Sequence, residues 1–259
     1  MNSETKDFYK RMQELSDRAY QNNQFTFSPF LSMGQISDFF LQTKLPTDNE
    51  FALSPSGFEI WGGYEDAERA MIRFGNPEEL MYTQDFPINC LKISPLNAKF
   101  SENLSHRDYL GALMNLSIER SLIGDILIKD SDGYCFVDDS MSDFISKEIT
   151  RIKHTSVMCQ VCDTPKDFFA PTFLDINIQA KSLRIDGIVA KLTSLSRSKC
   201  AELFLAKKIF INGYLMENES HQVKDGDVIS IRGYGKYRFN TTTGKTKKEN
   251  LNLSISKYN

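Results

Sequence analysis

Between Pro87 and Cys162 the apolar residues alternate between two spacings, and this alternation constrains the fold more than any other feature of the chain. Ile88, Cys90, Leu91 and Ile93 form a run short enough for a strand, whereas His106 to Ile118 sets Leu110, Leu113, Met114 and Ile118 on one side of a helix. Asp125-Ile126-Leu127-Ile128 and Tyr134-Cys135-Phe136-Val137 read as two strands that meet at an Asp132-Gly133 turn. Ser140 to Ile149 is predicted as a helix capped by Ser140 or Ser142, and Ser156 to Cys162 as a closing strand. The order strand, helix, strand, strand, helix, strand is the split βαβ, or ferredoxin-like, arrangement.

RNA-recognition domains of that fold carry aromatics on the third strand, in the order basic, Gly, aromatic, small, Phe, Val. Here the third strand reads Asp132-Gly133-Tyr134-Cys135-Phe136-Val137, so Tyr134 and Phe136 share a face and are candidates for a second RNA face. The basic residue is replaced by an aspartate, the trailing aromatic is missing, and Lys92 stands where the first strand should offer a ring. Two rings packed in a half-buried sheet is therefore the favoured reading, because a fold by itself does not establish a function.

Before this region, Phe8, Met12, Leu15 and Tyr20 suggest a helix over 5–21, and a second helix is predicted over 32–43. Pro46 to Ser56 reads as loop, Phe58 to Trp61 as a short strand, and Gly75-Asn76-Pro77 as the close of a first unit. After it, Asp163 to Pro171 is a polar connector and Phe173 to Ala180 alternates enough for a strand. The expected class is α+β in four segments. These are an N-terminal unit over 1–78, a ferredoxin-like, RRM-like domain over 79–165, a linker with lead-in strand over 166–181, and a basic module over 182–259.

The net charge of −3 hides an asymmetry. From Lys181 to the end there are 15 Lys and Arg against 7 Asp and Glu, a net of +8; the rest carries 16 against 27, a net of −11. Phosphates respond only to charges within about a Debye length, roughly 8–10 Å, so an acidic body does not preclude a basic nucleic-acid footprint at one end. Within the basic end, two short helices are predicted, one from Asp186 to Lys191 and one from Cys200 to Ala206. They are followed by a strand over Lys208 to Ile211, an Asn212-Gly213 turn and a strand over Val228 to Arg232. Arg197 and Lys199 stand at the start of the second helix, where positive charge opposes the helix dipole by about 0.3–1 kcal/mol each. A bound phosphate would reverse that sign, accepting from the free N–H groups and from both side chains.

Arg184-Ile185-Asp186, Ser196-Arg197-Ser198-Lys199, Ala201, Leu203, Ile211-Asn212-Gly213 and Gly226-Asp227-Val228-Ile229 together resemble the S-four RNA-binding domain. The resemblance covers about fifty residues. It implies a helix pair on a small sheet, an αL-shaped surface that binds structured RNA mainly through phosphates. Arg184, Arg197, Ser198, Lys199, Lys207, Lys208 and Asn212 would contact RNA, with Lys236, Lys245, Lys247 and Lys248 extending the track. Lys207 occupies the position where that domain usually ends its second helix with glycine.

Three further runs resemble YlmH-type proteins. They are Gly62-Gly63-Tyr64-Glu65 with Ala67-Glu68-Arg69; His106-Arg107-Asp108-Tyr109-Leu110-Gly111-Ala112-Leu113-Met114 with Ile123-Gly124-Asp125-Ile126; and Gly233-Tyr234-Gly235-Lys236-Tyr237 with Gly244-Lys245-Thr246-Lys247-Lys248. This second resemblance implies a monomeric, non-catalytic factor of bacterial ribosome-associated quality control. Its partners would be rRNA and tRNA on the large ribosomal subunit, and it would require no cofactor.

The remaining signals limit the alternatives. No apolar run is long enough for a membrane span, and Met1 to Arg11 lacks the apolar segment of a secretory signal. Five scattered cysteines suit a reducing cytoplasm better than a disulfide framework. Cys159 and Cys162 have metal-ligand spacing but no second pair, so no metal site is expected. His106 could serve as a general base, yet no nucleophile accompanies it. No catalytic residues are assigned. The rival readings are an RNA-modifying enzyme with an unrecognised site and a cell-division-associated scaffold.

Overall fold

The computed structural model describes residues 3–43, 53, 55–65, 67–97, 101–164, 173–246 and 249–258. The predicted loop over Pro46 to Ser56 and the connector over Asp163 to Pro171 lie largely outside these, as do Lys247 and Lys248. The chain is α+β and divides into two compact units, Met1–Met33 with Leu41–Phe169 and Gly34–Phe40 with Ala170–Asn259.

The first unit opens with α1 (Ser3–Asn22) and β1 (Thr26–Phe27), followed by α2 (Met33–Thr43), whose central turns belong to the second unit. Helix α1 buries Tyr9, Met12, Ser16 and Ala19 and leaves Tyr20 exposed, a face rotated by about one residue from the predicted one. The polar Ser16 is tolerated inside because its hydroxyl lies 3.2 Å from that of Ser56. Strands β2 (Phe58–Trp61) and β3 (Met71–Phe74) complete a three-stranded sheet in the order β1-β3-β2. The short α3 (Pro77–Leu80) starts on Asn76, whose side chain accepts from the Glu78 N–H at 3.0 Å.

The same unit continues through β4 (Ile88–Pro95), α4 (His106–Asn115), β5 (Ile123–Lys129), β6 (Asp132–Asp138), α5 (Asp139–Glu148), β7 (Arg151–Ile152) and β8 (Thr155–Cys162). These strands form an antiparallel sheet in the order β5-β6-β4-β8-β7. Leu91, Ile93, Tyr109, Leu113, Val137 and Ile145 build its core, and Met114 points outward. The cap of α5 is Asp138, which accepts from the Ser140 N–H at 3.1 Å. Ser142 is instead buried against the Asn89 amide at 2.9 Å. The β5–β6 hairpin turns at Asp130 and Ser131, two residues earlier than predicted, with Lys129 opposite Asp132. Gly133 lies inside β6, where a β-carbon would stand 2.3 Å from the Tyr109 ring. The glycine makes room for a core tyrosine and does not make the turn.

The second unit contains β9 (Phe173–Ala180), α6 (Ile185–Thr193), α7 (Arg197–Leu205), β10 (Ile209–Ile211), β11 (Tyr214–Leu215), β12 (Val228–Ile231), β13 (Gly235–Lys245) and β14 (Leu251–Tyr258). All six strands join one antiparallel sheet, β11-β10-β12-β13-β14-β9, and β9 pairs with β14 along its whole length. Ile185, Ile188, Val189, Cys200 and Leu203 from the helices meet Ile229, Tyr237, Phe239, Leu253 and Ile255 from the sheet. Asn212 and Gly213 both have positive φ, as a two-residue hairpin between β10 and β11 requires. At that end of the sheet, Ser37 of α2 accepts from the Leu215 N–H at 2.6 Å and the Phe40 ring lies 5.5 Å from that of Tyr214.

One close approach within the first unit leaves no room for a side chain. Gly63 has φ of +100°, and a β-carbon there would lie 2.3 Å from the Phe136 ring. Gly63→Ala should therefore destabilise the unit by about 2 kcal/mol or more in urea unfolding, combining overpacking with a left-handed backbone.

Candidate nucleic-acid interface

Helices α6 and α7 flank a cleft of about 600 Å³ in the second unit. Small residues on its walls, Gly187, Ala190 and Ala201, leave it open, and a β-carbon at Gly187 would meet nothing within 4 Å. Four cations line it, Lys181, Arg184, Lys191 and Arg197, against two acids, Asp186 and Glu219. Arg184 grips Asp186 with two hydrogen bonds, Nε to Oδ1 at 3.2 Å and Nη2 to Oδ2 at 2.8 Å. Those bonds hold the Asp186 carboxyl below its usual range, assisted by the Gly187 N–H and by the Arg197 charge, while desolvation opposes them. The guanidinium is thus fixed in direction, although much of its charge is already balanced.

Helix α7 begins at Ser196, whose hydroxyl accepts from the Lys199 N–H at 3.5 Å and lies 3.1 Å from the Ser198 hydroxyl. Its first turn holds Arg197, Ser198 and Lys199, all exposed, and no acid. Positive side chains therefore stand at the positive end of the helix dipole, the arrangement that an anion would relieve.

The structure separates the remaining candidates. Lys207 and Lys208 follow the far end of α7, about 13 Å along the axis from Arg197. Lys207 Nζ lies 3.8 Å from Glu217. The Asn212 side chain is committed inside the protein, its Nδ2 donating to Asp227 at 2.8 Å and its Oδ1 accepting from the Val228 N–H at 2.8 Å. Lys236 lies over the Tyr258 ring at 4.9 Å, and Lys245 lies 3.4 Å from Glu249. Lys181 and Lys191 were not singled out in the sequence. The small residues Gly187 and Ala190 beside Lys191 are the signal that could have placed it at a cleft.

The second face predicted from Tyr134 and Phe136 is closed. Tyr134 is 5% and Phe136 0% exposed. Tyr64 stacks on Phe136 at 5.0 Å between centroids with planes 25° apart, and Phe30 and Met71 join the same cluster. A base could reach these rings only by displacing that cover. The cover is pinned by Asp125, which accepts from Tyr64 OH at 2.9 Å and from the N–H groups of Glu68 at 2.7 Å and Arg69 at 3.2 Å. Burial pushes the Asp125 carboxyl up, and these three donors pull it back. The Arg69 guanidinium in turn donates to the carbonyls of Ile123, Phe30 and Arg120 at 2.9–3.0 Å.

On the helix side of the same unit, Arg107, Gly111, Arg151 and Lys153 border a second cleft of about 450 Å³. Lys153 holds Asp108 at 2.7 Å, and Asp108 also receives the N–H and hydroxyl of Ser105 at 2.8 and 2.7 Å. His106, beside it in sequence, is pushed down by burial and by the Arg120 charge, with Asp125 acting the other way. Cys159 and Cys162 are three apart on one strand and so point to opposite faces, which prevents joint chelation.

Residues 82–166 match the family described as “Putative RNA-binding domain in YlmH”. The middle region of the chain is thus similar to that RNA-binding family. Over 211 residues the chain is 28% identical to “Ribosome-associated protein quality control protein P2” of Bacillus subtilis (strain 168), covering 78% of each. A solved structure titled “Cell division protein ylmH from Streptococcus pneumoniae” aligns at 18% identity with a TM-score of 0.46, covering 62% of this chain and 93% of that one. The runs that carried the resemblance have structural work in the first unit. Gly63 and Tyr64 roof Phe136, Arg69 and Asp125 tie the roof down, and Gly124 has no room for a β-carbon beside Phe30. No helix among the described residues is long and apolar enough to cross a membrane.

Two measurements check these geometries. Lys207 has φ of +54° and ends α7 with its N–H on the Phe204 carbonyl while the Lys208 N–H reaches Leu203, the left-handed helix stop that glycine fits best. Lys207→Gly should therefore stabilise the second unit by about 1 kcal/mol in denaturant unfolding. Asp108 is held at about 2, below its ordinary 3.8, by Lys153 and Ser105. A depressed carboxyl stabilises the fold above pH of about 4 and loses that contribution as pH falls toward 2. The urea midpoints of wild type and Asp108→Asn should differ at pH 6 and converge over that window.

Proposed function

We propose that the protein is a non-catalytic RNA-binding factor of ribosome-associated quality control, binding structured RNA through the cleft between α6 and α7. The observation that carries this reading is the meeting of Lys181, Arg184, Lys191 and Arg197 around one concavity at the N-terminus of α7, whose first turn carries no acid. Phosphate is the ligand such a site favours, because backbone N–H groups, helix dipole and guanidinium act in the same direction. The helix pair on its sheet supports an S-four αL module here. The sheet order β5-β6-β4-β8, with α4 and α5 on one side, supports a ferredoxin-like, RRM-like middle domain.

The named relative acts in ribosome-associated quality control, and the matched family is an RNA-binding one. Carried to this chain, they support RNA and the ribosome as its partners, to which we add rRNA and tRNA on the large ribosomal subunit, a cytoplasmic setting and a monomeric state. Arg184 and Arg197 would bind phosphates at the cleft. Ser198 and Lys199 would do so at the helix start, with Lys207 and Lys208 at its end. Lys236, Lys245, Lys247 and Lys248 would extend the contact, and Asn212 would shape the neighbouring loop. Because the aromatic face of the middle sheet is roofed by Tyr64, RNA on that domain would meet Arg107, Arg151 and Lys153 on the helix side. Asp186 is locked to Arg184 and held ionised, which suits a binding site better than a proton-transfer site.

The test is RNA affinity at several salt concentrations for wild type and for a double reversal, Arg197→Glu with Lys199→Glu. Wild-type affinity should fall steeply as salt rises. The reversal should reduce binding at least a hundredfold with the circular dichroism spectrum unchanged. Unaltered affinity in the reversed protein would remove the cleft from consideration.

A further inference from the structure

The sheet of the second unit has two faces, and only one packs against α6 and α7. On the other, the β10–β11 end lies against Gly34–Phe40 of α2, through Ser37 and Phe40. The β13–β14–β9 end presents a different surface. Alternation and register put Phe173, Asp175, Asn177 and Gln179 of β9 beside Tyr258, Ser256, Ser254 and Asn252 of β14, with Lys236 and Arg238 of β13 next in line. Ile176, Ile178, Leu253 and Ile255 alternate with them and face the core.

Two of these side chains are rings, and each carries a cation. Phe173 and Tyr258 meet edge to face at 4.9 Å. Lys236 Nζ lies 4.9 Å from the Tyr258 centroid, and the Arg238 guanidinium lies 5.9 Å from that of Phe173. Phe173 is 44% exposed at the end of a regular eight-residue strand pair, directly opposite Tyr258. The acid that shares this face, Asp175, accepts from the Ser256 hydroxyl at 2.8 Å, and Ser256 in turn lies 2.9 Å from the Asn240 amide. An exposed Phe173 beside a half-buried Tyr258, each flanked by a cation, with the exposed amides of Asn177 and Gln179 alongside, suits stacked bases and their phosphates.

The face also connects to the proposed binding cleft. Gln179 stands on it and at the same time lines the cleft with Arg184 and Arg197. From Gln179 to Phe173 the strand runs roughly 20 Å. We infer that this sheet face receives unpaired nucleotides continuing from the structured RNA held at α6 and α7, with bases on Phe173 and Tyr258 and phosphates on Lys236 and Arg238. The inference rests on the RNA-binding reading above and adds a second chemistry to it. The cleft would bind folded RNA by charge, and the sheet would bind single strand by stacking.

The experiment uses the full chain with three RNAs: a blunt hairpin, and the same hairpin with a short 5′ or 3′ single-stranded extension carrying 5-iodouridine. One of the two extensions should raise affinity about tenfold or more, and its photocrosslinks should map by mass spectrometry to Phe173 or Tyr258. Phe173→Ala with Tyr258→Ala should erase that gain and leave blunt-hairpin affinity unchanged, while Phe173→Tyr should retain it. Extensions that add nothing, a gain that survives the double alanine change, or crosslinks confined to other surfaces would overturn the inference and leave the cleft reading intact. So would a doubled solution mass that Phe173→Ala abolishes, since a second copy would then be the occupant. Failure of every RNA to bind would overturn both readings. The crosslink map on wild type decides the matter even if the alanine variants fold poorly.

Discussion

Asp125 holds the first unit together. A carboxylate taken out of water is costly unless every lone pair finds a donor, and Asp125 is supplied by Tyr64, Glu68 and Arg69. Because those donors lie in the segment between β2 and β3, satisfying one buried charge fixes that segment across the middle sheet. Arg69 then closes three further carbonyls, and Tyr64 comes to rest on Phe136. The functional consequence is exclusion. A sheet whose topology suits base stacking has had its best rings covered by its own chain.

In the second unit the governing constraint is electrostatic and of opposite character. The first unit surrounds its buried Asp125 with donors, whereas α7 leaves its first turn with cations where the helix dipole disfavours them. Arg184 and Asp186 show a compromise between the two. The pair fixes a guanidinium at the lip of the cleft, and the surplus of positive charge passes to Lys181, Lys191 and Arg197. A surface organised in this way is slightly unfavourable by itself and becomes favourable on meeting an anion.

The elements of both units were largely legible where burial imposed a clean period. Leu91, Leu113, Val137 and Ile145 occupy the core that their spacing predicts. The misreadings share a cause, which is that one residue type serves two purposes. Gly133 resembled a turn residue and proved to be space for Tyr109, and Ser142 resembled a cap and proved to be a buried contact for Asn89. Strand β13 went unread because bulges after Phe239 and Thr242 break its alternation and threonines replace the apolar positions, whereas β14 alternates cleanly through Leu251, Leu253 and Ile255 and was legible but missed. For the candidate site, residue types and helix ends could be read, but pairing could not. Nothing in the spacing shows that Asn212 is bound to Asp227, that Lys207 faces Glu217, or that Lys191 joins Arg197 across a cleft.

Helix α7 has cations at both ends and a fixed length between them. Were it a flexible loop, the two groups could follow phosphates at any separation. A rigid rod of nine residues instead acts as a caliper set to about 13 Å. Adjacent phosphates on one strand are closer together than that, so the two ends would meet phosphates that are not neighbours along a strand. The left-handed backbone at Lys207 sets one jaw, since it turns the chain sharply off the helix axis while keeping a charge where glycine would leave none. In the proposed RNA contact, such a spacing would select by shape without reading a single base.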